Sequence, residues 1–225
     1  MLNRIQTPIR SSKKFFSFAR FKHSLPTLKY EYNAFAPVWS EAIVKNHYEL
    51  NHAAYVNNLN ANEEKLAASV TKNDLVSAAQ LEKICRFNAG GHINHTRMWE
   101  TIAPTSDNGG KLVSGTVEKA IEKTFGSVDE LAKAVNAATA SIQGSGWGWL
   151  AVSSATGNLH VLTTPNQDTV EDYGCLPLFG IDAWEHAFYL DYKTSKVDYF
   201  KKYWQIANWA QIQRNYDVAM ASLKK

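Results

Sequence analysis

The four residues Thr71-Lys72-Asn73-Asp74 interrupt two long stretches of helical character, over about residues 39–70 and 74–101. They are turn and capping residues, the types that end one helix and start the next. Two long helices joined by so short a connection pair antiparallel, so the N-terminal half reads as a helical hairpin. Ahead of it, residues 23–37 read as an extended lead-in, with Pro26, Pro37 and the alternating Tyr30 and Tyr32. Beyond it, PTSDNGG at residues 104–110 is the clearest linker. Two shorter helical stretches follow, about 113–125 and 128–143, separated by Gly126-Ser127. Ser127, with Glu130 three residues on, predicts a capping box for the second. The period then changes. Residues 147–153 and 158–164 read as strands around Ala155-Thr156-Gly157, and residues 176–181 as a third short apolar run. Helices resume near Trp184. The fold class is α+β, helical in its first half and mixed in its second.

The chain has 225 residues, enough to bury a substantial core, and its 45% hydrophobic and 20% charged residues are those of a globular protein. No apolar run approaches the length of a membrane span. The formal charge of +3 is unevenly placed. Residues 1–21 carry Arg4, Arg10, Lys13, Lys14 and Arg20 with three serines and no acid, the composition of a mitochondrial transit peptide. Setting those five bases aside leaves 19 basic against 21 acidic residues, a net of about −2. The positive total is then an address label and gives no support to nucleic-acid binding, and the mature chain is expected in the mitochondrial matrix. Cys85 and Cys175 lack CxxC spacing and read as two buried structural thiols in a reducing compartment.

Four segments concentrate metal-capable side chains. His47-Tyr48-Glu49-Leu50-Asn51-His52-Ala53-Ala54-Tyr55 places residues 47, 51 and 55 on one face of a regular helix. Asn88-Ala89-Gly90-Gly91-His92-Ile93-Asn94-His95 has two imidazoles one turn apart. Asp182-Ala183-Trp184-Glu185-His186 spans a change from strand to helix, so that both outer residues can point into one pocket. Pro165-Asn166-Gln167-Asp168 follows the second strand. Taken singly, each is as well explained by ordinary core or surface packing. Together they offer imidazoles and a carboxylate without a catalytic Ser or Cys partner. Such a set suits zinc, iron or manganese, and spacing does not choose among them.

The chain resembles the iron/manganese superoxide dismutase family from about residue 22 to residue 209. The resemblance is carried by KHSLPTL at 22, HAAYVNNLN at 52, FNAGGHINH at 87, QGSGWGWL at 143, PNQD at 165 and DAWEHAFYLDY at 182. It implies a transit peptide (1–21), an N-terminal antiparallel helical-hairpin domain (22–104) and a C-terminal domain (111–225) with a three-stranded antiparallel sheet surrounded by helices. It implies one metal ion held by His47, His95, Asp182 and His186, with an open fifth position for solvent. Tyr55 and Gln167 resemble the gateway Tyr and the Gln that hydrogen-bonds that solvent. Trp99, Trp147 and Trp184 resemble an aromatic wall, and His52 and His92 become structural or outer residues. Glu185 resembles the residue that reaches across a subunit interface to the partner's ligand His, with Tyr189 at the same interface, so a homodimer or homotetramer is expected. The implied chemistry is conversion of superoxide, a small anion, to O₂ and H₂O₂ by alternating one-electron steps, which zinc cannot perform. Manganese-type members draw the key Gln from the C-terminal half, as Gln167 here, whereas iron-type members place it four residues before the second ligand. That position is Gly91 in this chain, and manganese is favoured over iron.

The main departure is Asn51, where many mitochondrial relatives have His. Asn donates and accepts hydrogen bonds but does not titrate near neutrality, so either an altered outer proton relay or a neutral packing substitute is expected here. Two other readings stand beside the dismutase: a non-catalytic scaffold, whose mark would be lost ligands, and a metallohydrolase with Glu185 as its base.

Overall fold

The computed structural model describes residues 22–224, and the predicted transit segment lies outside them. The N-terminal helical rod starts at α1 (Glu41–Lys45), where the Ser40 hydroxyl accepts a hydrogen bond from the Ile43 amide at 3.3 Å. It continues as a π-helical segment (Asn46–His52) and then as α2 (Ala53–Thr71). Asn73 takes φ 58° and Asp74 caps α3 (Leu75–Glu100), its carboxylate accepting from the Ser77 amide at 3.1 Å. The chain thereby reverses and α2 packs along α3. The far end of α3 is solvated, with Leu75 and Val76 over 70% exposed, whereas its last three turns bury Asn88, Gly90, Gly91, Asn94, His95, Met98 and Trp99.

The connection at residues 104–110 contains a short 3₁₀ turn and is bound to the C-terminal half, with Ala103 N donating to Ile206 O at 2.8 Å and Gly110 N to Ala207 O at 2.9 Å. Helices α4 (Thr116–Phe125) and α5 (Val128–Ala140) follow. The sheet is β1 (Gly146–Ser153), β2 (Leu159–Pro165) and β3 (Cys175–Asp182), in the order β2-β1-β3 and antiparallel throughout. Trp147 on β1 pairs with Thr164 on one side and Asp182 on the other. Paired residues share a face of the sheet, so Trp147 and Asp182 are presented together. The chain ends in α6 (Tyr189–Tyr192), α7 (Lys196–Tyr203) and α8 (Trp209–Ser222).

The central strand is buried on both faces, which a mere hairpin would not achieve. Leu150, Val152 and Ile181 are fully buried, each contributing roughly 1.5–3 kcal/mol. Cys85 and Cys175 are free and buried, as expected of structural thiols. No helix among the described residues is long and apolar enough to cross a membrane.

Three local expectations are corrected. The lead-in is not extended throughout, because Tyr32–Phe35 form a 3₁₀ turn that buries Phe35 edge-on against Tyr30 and Trp39. The capping box at Ser127 is half made: its hydroxyl accepts from the Glu130 amide, but the Glu130 carboxylate turns outward to Lys133 at 2.6 Å. The first rod is not regular helix, since it widens to π geometry at Asn46–His52.

Candidate metal centre

The π segment decides which side chains of the first rod face inward. Its wider turn, i to i+5, brings residues 47 and 52 to the interior. His47 and His52 are both fully buried, while Asn51 is only half-buried and makes no side-chain hydrogen bond within the described residues. Tyr55, on the regular helix that follows, is turned inward.

One potential ligand atom from each of His47, His95, Asp182 and His186 lies within 4.8 Å of all the others. Three helical or turn segments and the end of β3 therefore converge on one point. Their focus is Asp182 Oδ2, which is 3.1 Å from His47 Nε2, 3.1 Å from His186 Nε2 and 3.6 Å from His95 Nε2. The other carboxylate oxygen accepts from the Trp184 amide at 2.9 Å, which holds the group in place as the strand ends. His95 donates through Nδ1 to Gly91 O at 2.7 Å, so in its neutral form the lone pair at Nε2 is turned to the cluster.

Burial is the leading influence on the ring charges. It lowers the His47 pKa to about 4 against the opposing pull of Asp182, and lowers His95 well below its ordinary value with help from neighbouring rings. Burial alone would raise Asp182, but His186 and His47 outweigh it and hold the carboxyl below the usual range. Asp182 is thus held as a carboxylate beside the neutral rings of His47 and His95, the protonation state that metal ligation by these groups requires. His47 Nε2 and His95 Nε2 are buried without hydrogen-bond partners. The His95 Nε2 lone pair faces a carboxylate oxygen at 3.6 Å and is repelled by it unless a cation lies between, and so the residues fit an ion.

Around the cluster stands a polar bridge. Gln167, 2% exposed, donates through Nε2 to the Tyr55 hydroxyl at 3.0 Å and accepts through Oε1 from Trp147 Nε1 at 3.1 Å. Asn94 holds the same loop by donating to Asp168 O at 3.2 Å. The bridge leaves the Tyr55 phenol proton free to point elsewhere. Burial, with the Asp182 charge adding to it, raises the Tyr55 pKa, so the hydroxyl stays protonated across the physiological range. Close approach of α3 makes this possible: a Cβ on Gly91 would lie 2.4 Å from the Tyr55 ring, and one on Gly90 would lie 1.9 Å from Gln167 O.

Aromatic rings close the remaining sides. Trp147 meets His95 edge-on at 5.2 Å, Trp99 meets His47 at 5.2 Å, and Trp184 stacks on His186 at 5.6 Å. Trp39 also meets His47, at 5.6 Å, a contact the sequence reading did not foresee. Phe87 bridges outward, edge-on to Tyr55 and Trp184, and is 40% exposed. Glu185 and Tyr189 are exposed and make no side-chain hydrogen bond to the cluster among the described residues.

A largely buried cluster of three imidazoles and one carboxylate beside a hydrogen-bonded Tyr–Gln pair, set between a helical hairpin and a small sheet, has the donor set of a site for one metal ion. Residues 22–103 match the α-hairpin domain of iron/manganese superoxide dismutases, and residues 113–215 match the C-terminal domain of the same enzymes. The chain is 47% identical over 196 residues to the mitochondrial manganese superoxide dismutase of Schizosaccharomyces pombe, covering 87% of this chain and 88% of that one. It is 44% identical over 204 residues to the corresponding protein of Candida albicans, covering 89% and 87%. This chain belongs to the iron/manganese superoxide dismutase family.

Proposed function

We propose that the protein dismutates superoxide in the mitochondrial matrix, using one manganese ion held by His47, His95, Asp182 and His186. The observation that carries this reading is the convergence of three imidazole Nε2 atoms on one oxygen of Asp182 without other partners for two of them. When bound, the ion supplies a one-electron couple able both to oxidise and to reduce superoxide. Two superoxide anions and two protons become O₂ and H₂O₂.

The chain's own residues supply the rest. Asp182 and the rings fix an anionic, oxygen- and nitrogen-rich site. Gln167 orients the Tyr55 hydroxyl, and this pair positions the protons that the peroxide product needs. Trp99, Trp147 and Trp184 exclude bulk water and hold the imidazoles at their angles. Manganese is favoured over iron because Gln167 comes from the loop after β2, while the space beside Gly91 is taken by Tyr55. Glu185 and Tyr189, exposed beside the centre, suit an interface in a homodimer or homotetramer. Asn51, half-buried with no bond of its own, is available to the outer end of the proton path. We read residues 22–104 and 111–225 as two domains that meet at the metal.

Asp182→Asn tests the assignment. The variant should fold, bind little manganese and lose dismutase activity. Full metal content and activity in that variant would overturn the ligand set.

A further inference from the structure

We propose that His52 is a positioning residue for two of the metal ligands, orienting His95 directly and His47 through Trp99. The inference rests on the proposed metal centre and adds a residue to it. His52 is fully buried, and both ring nitrogens are engaged. Trp99 Nε1 donates to His52 Nδ1 at 3.1 Å, and an indole nitrogen can only donate. His52 Nδ1 is therefore the acceptor and Nε2 carries the proton. Nε2 in turn lies 2.9 Å from His92 Nδ1, which must accept. Bonding chemistry alone fixes the tautomer of His52: a proton on Nδ1 would face the indole N–H.

The ring so fixed lies against the centre. It stacks on His95 at 5.3 Å and 28°. The indole that it anchors stands edge-on to His47 at 5.2 Å. His95 is held at its rim by Gly91 O and over its face by His52, which leaves its ring little freedom to rotate. On the far side, His92 meets His23 edge-on at 6.0 Å, and His23 is clasped to Asn60 by two backbone–side-chain hydrogen bonds of 2.9 Å. The first residues of the described chain thus brace the outer end of the line. The π turn makes the arrangement possible, because only spacing of five puts His47 and His52 on the same buried side.

The experiment compares manganese-loaded H52F, H52N and L131A with the parent protein. The last removes buried core volume in α5, a helix that supplies none of the four ligand residues, and controls for lost stability. Two readouts are taken: the rate at which excess chelator strips the metal, and the visible absorption spectrum. H52F keeps an aromatic face but leaves Trp99 Nε1 unpaired and takes the His52 donor from His92 Nδ1, and should release metal about 10-fold faster with a shifted spectrum. H52N restores an acceptor near the Nδ1 position and should recover part of the retention, while L131A retains both properties. Release from H52F no faster than from L131A, with an unchanged spectrum, would overturn the proposal. If H52F does not fold, H52N decides: an altered spectrum supports the role, and parental spectrum and retention overturn it. Parent protein that folds yet binds no metal would instead sink the metal-centre reading itself.

Discussion

Gln167 and Tyr55, 112 residues apart in sequence, are joined by a 3.0 Å hydrogen bond in which the amide donates and the phenol oxygen accepts. The bond ties the loop after β2 to the first helical rod and leaves the Tyr55 hydroxyl proton free to be donated elsewhere. It is the point where the two halves of the chain become one site.

Gln167→Leu should uncouple that site. The change keeps volume but leaves Trp147 Nε1 buried without a partner and removes the donor to Tyr55. Leaving a buried polar group unpaired costs about 1–3 kcal/mol, and altered support around a metal typically costs 10- to 100-fold in activity or affinity. Denaturant unfolding and dismutation rates measured on one preparation check both figures. A stable variant with parental turnover would contradict the bridge's role.

Gly90→Ala acts on the same loop from the other helix. Its Cβ would sit 1.9 Å from a backbone oxygen of Gln167, which cannot swing aside as a side-chain end could. Overpacking of this kind costs about 1–3 kcal/mol. Activity should fall with stability because relief of the clash displaces Gln167. A variant as stable and active as the parent would show that α3 and the loop are not in fixed contact.

The hairpin carries a pH-dependent element of its own at Asp74. Hydrogen bonding from Ser77 holds this carboxyl below its ordinary value. A depressed folded pKa contributes stability that is complete above the unfolded value of about 3.9 and is lost as pH falls through the folded value. Thermal melts should therefore separate the parent from Asp74→Ala fully at pH 7 and converge in acid below that value. A gap that stays constant into strong acid would exclude the charged cap.

Asn51→His tests the outer proton path. Introducing a titratable ring at the half-buried position should alter the pH dependence of turnover and the degree of inhibition by product peroxide. Identical profiles for the two proteins would mark Asn51 as packing only.

Much of the scaffold was legible because its signals are local. Asp74 announces a helix start through its own side chain, and Ala155-Thr156-Gly157 announces a tight turn between alternating strands. Asp182 and His186 could be grouped because their segment spans a change of period. The π segment was not legible, since reading Asn46–His52 at 3.6 residues per turn places Asn51 inward and gives His52 no special role. The side chain that ends up fully buried is His52. Trp39 likewise gave no sign of its contact with His47, which depends on how the lead-in folds back over the rod. Ser127 and Glu130 fit a pattern whose second half was lost to a nearby lysine, a competition that a motif does not encode.

Metal analysis of the purified protein, with cyanide-resistant superoxide dismutation assayed on the same sample, tests the central claim most directly. Manganese near one ion per subunit together with activity is the predicted result. Folded protein that stays inactive after reconstitution with manganese, or that carries zinc and hydrolyses its substrate, would contradict it.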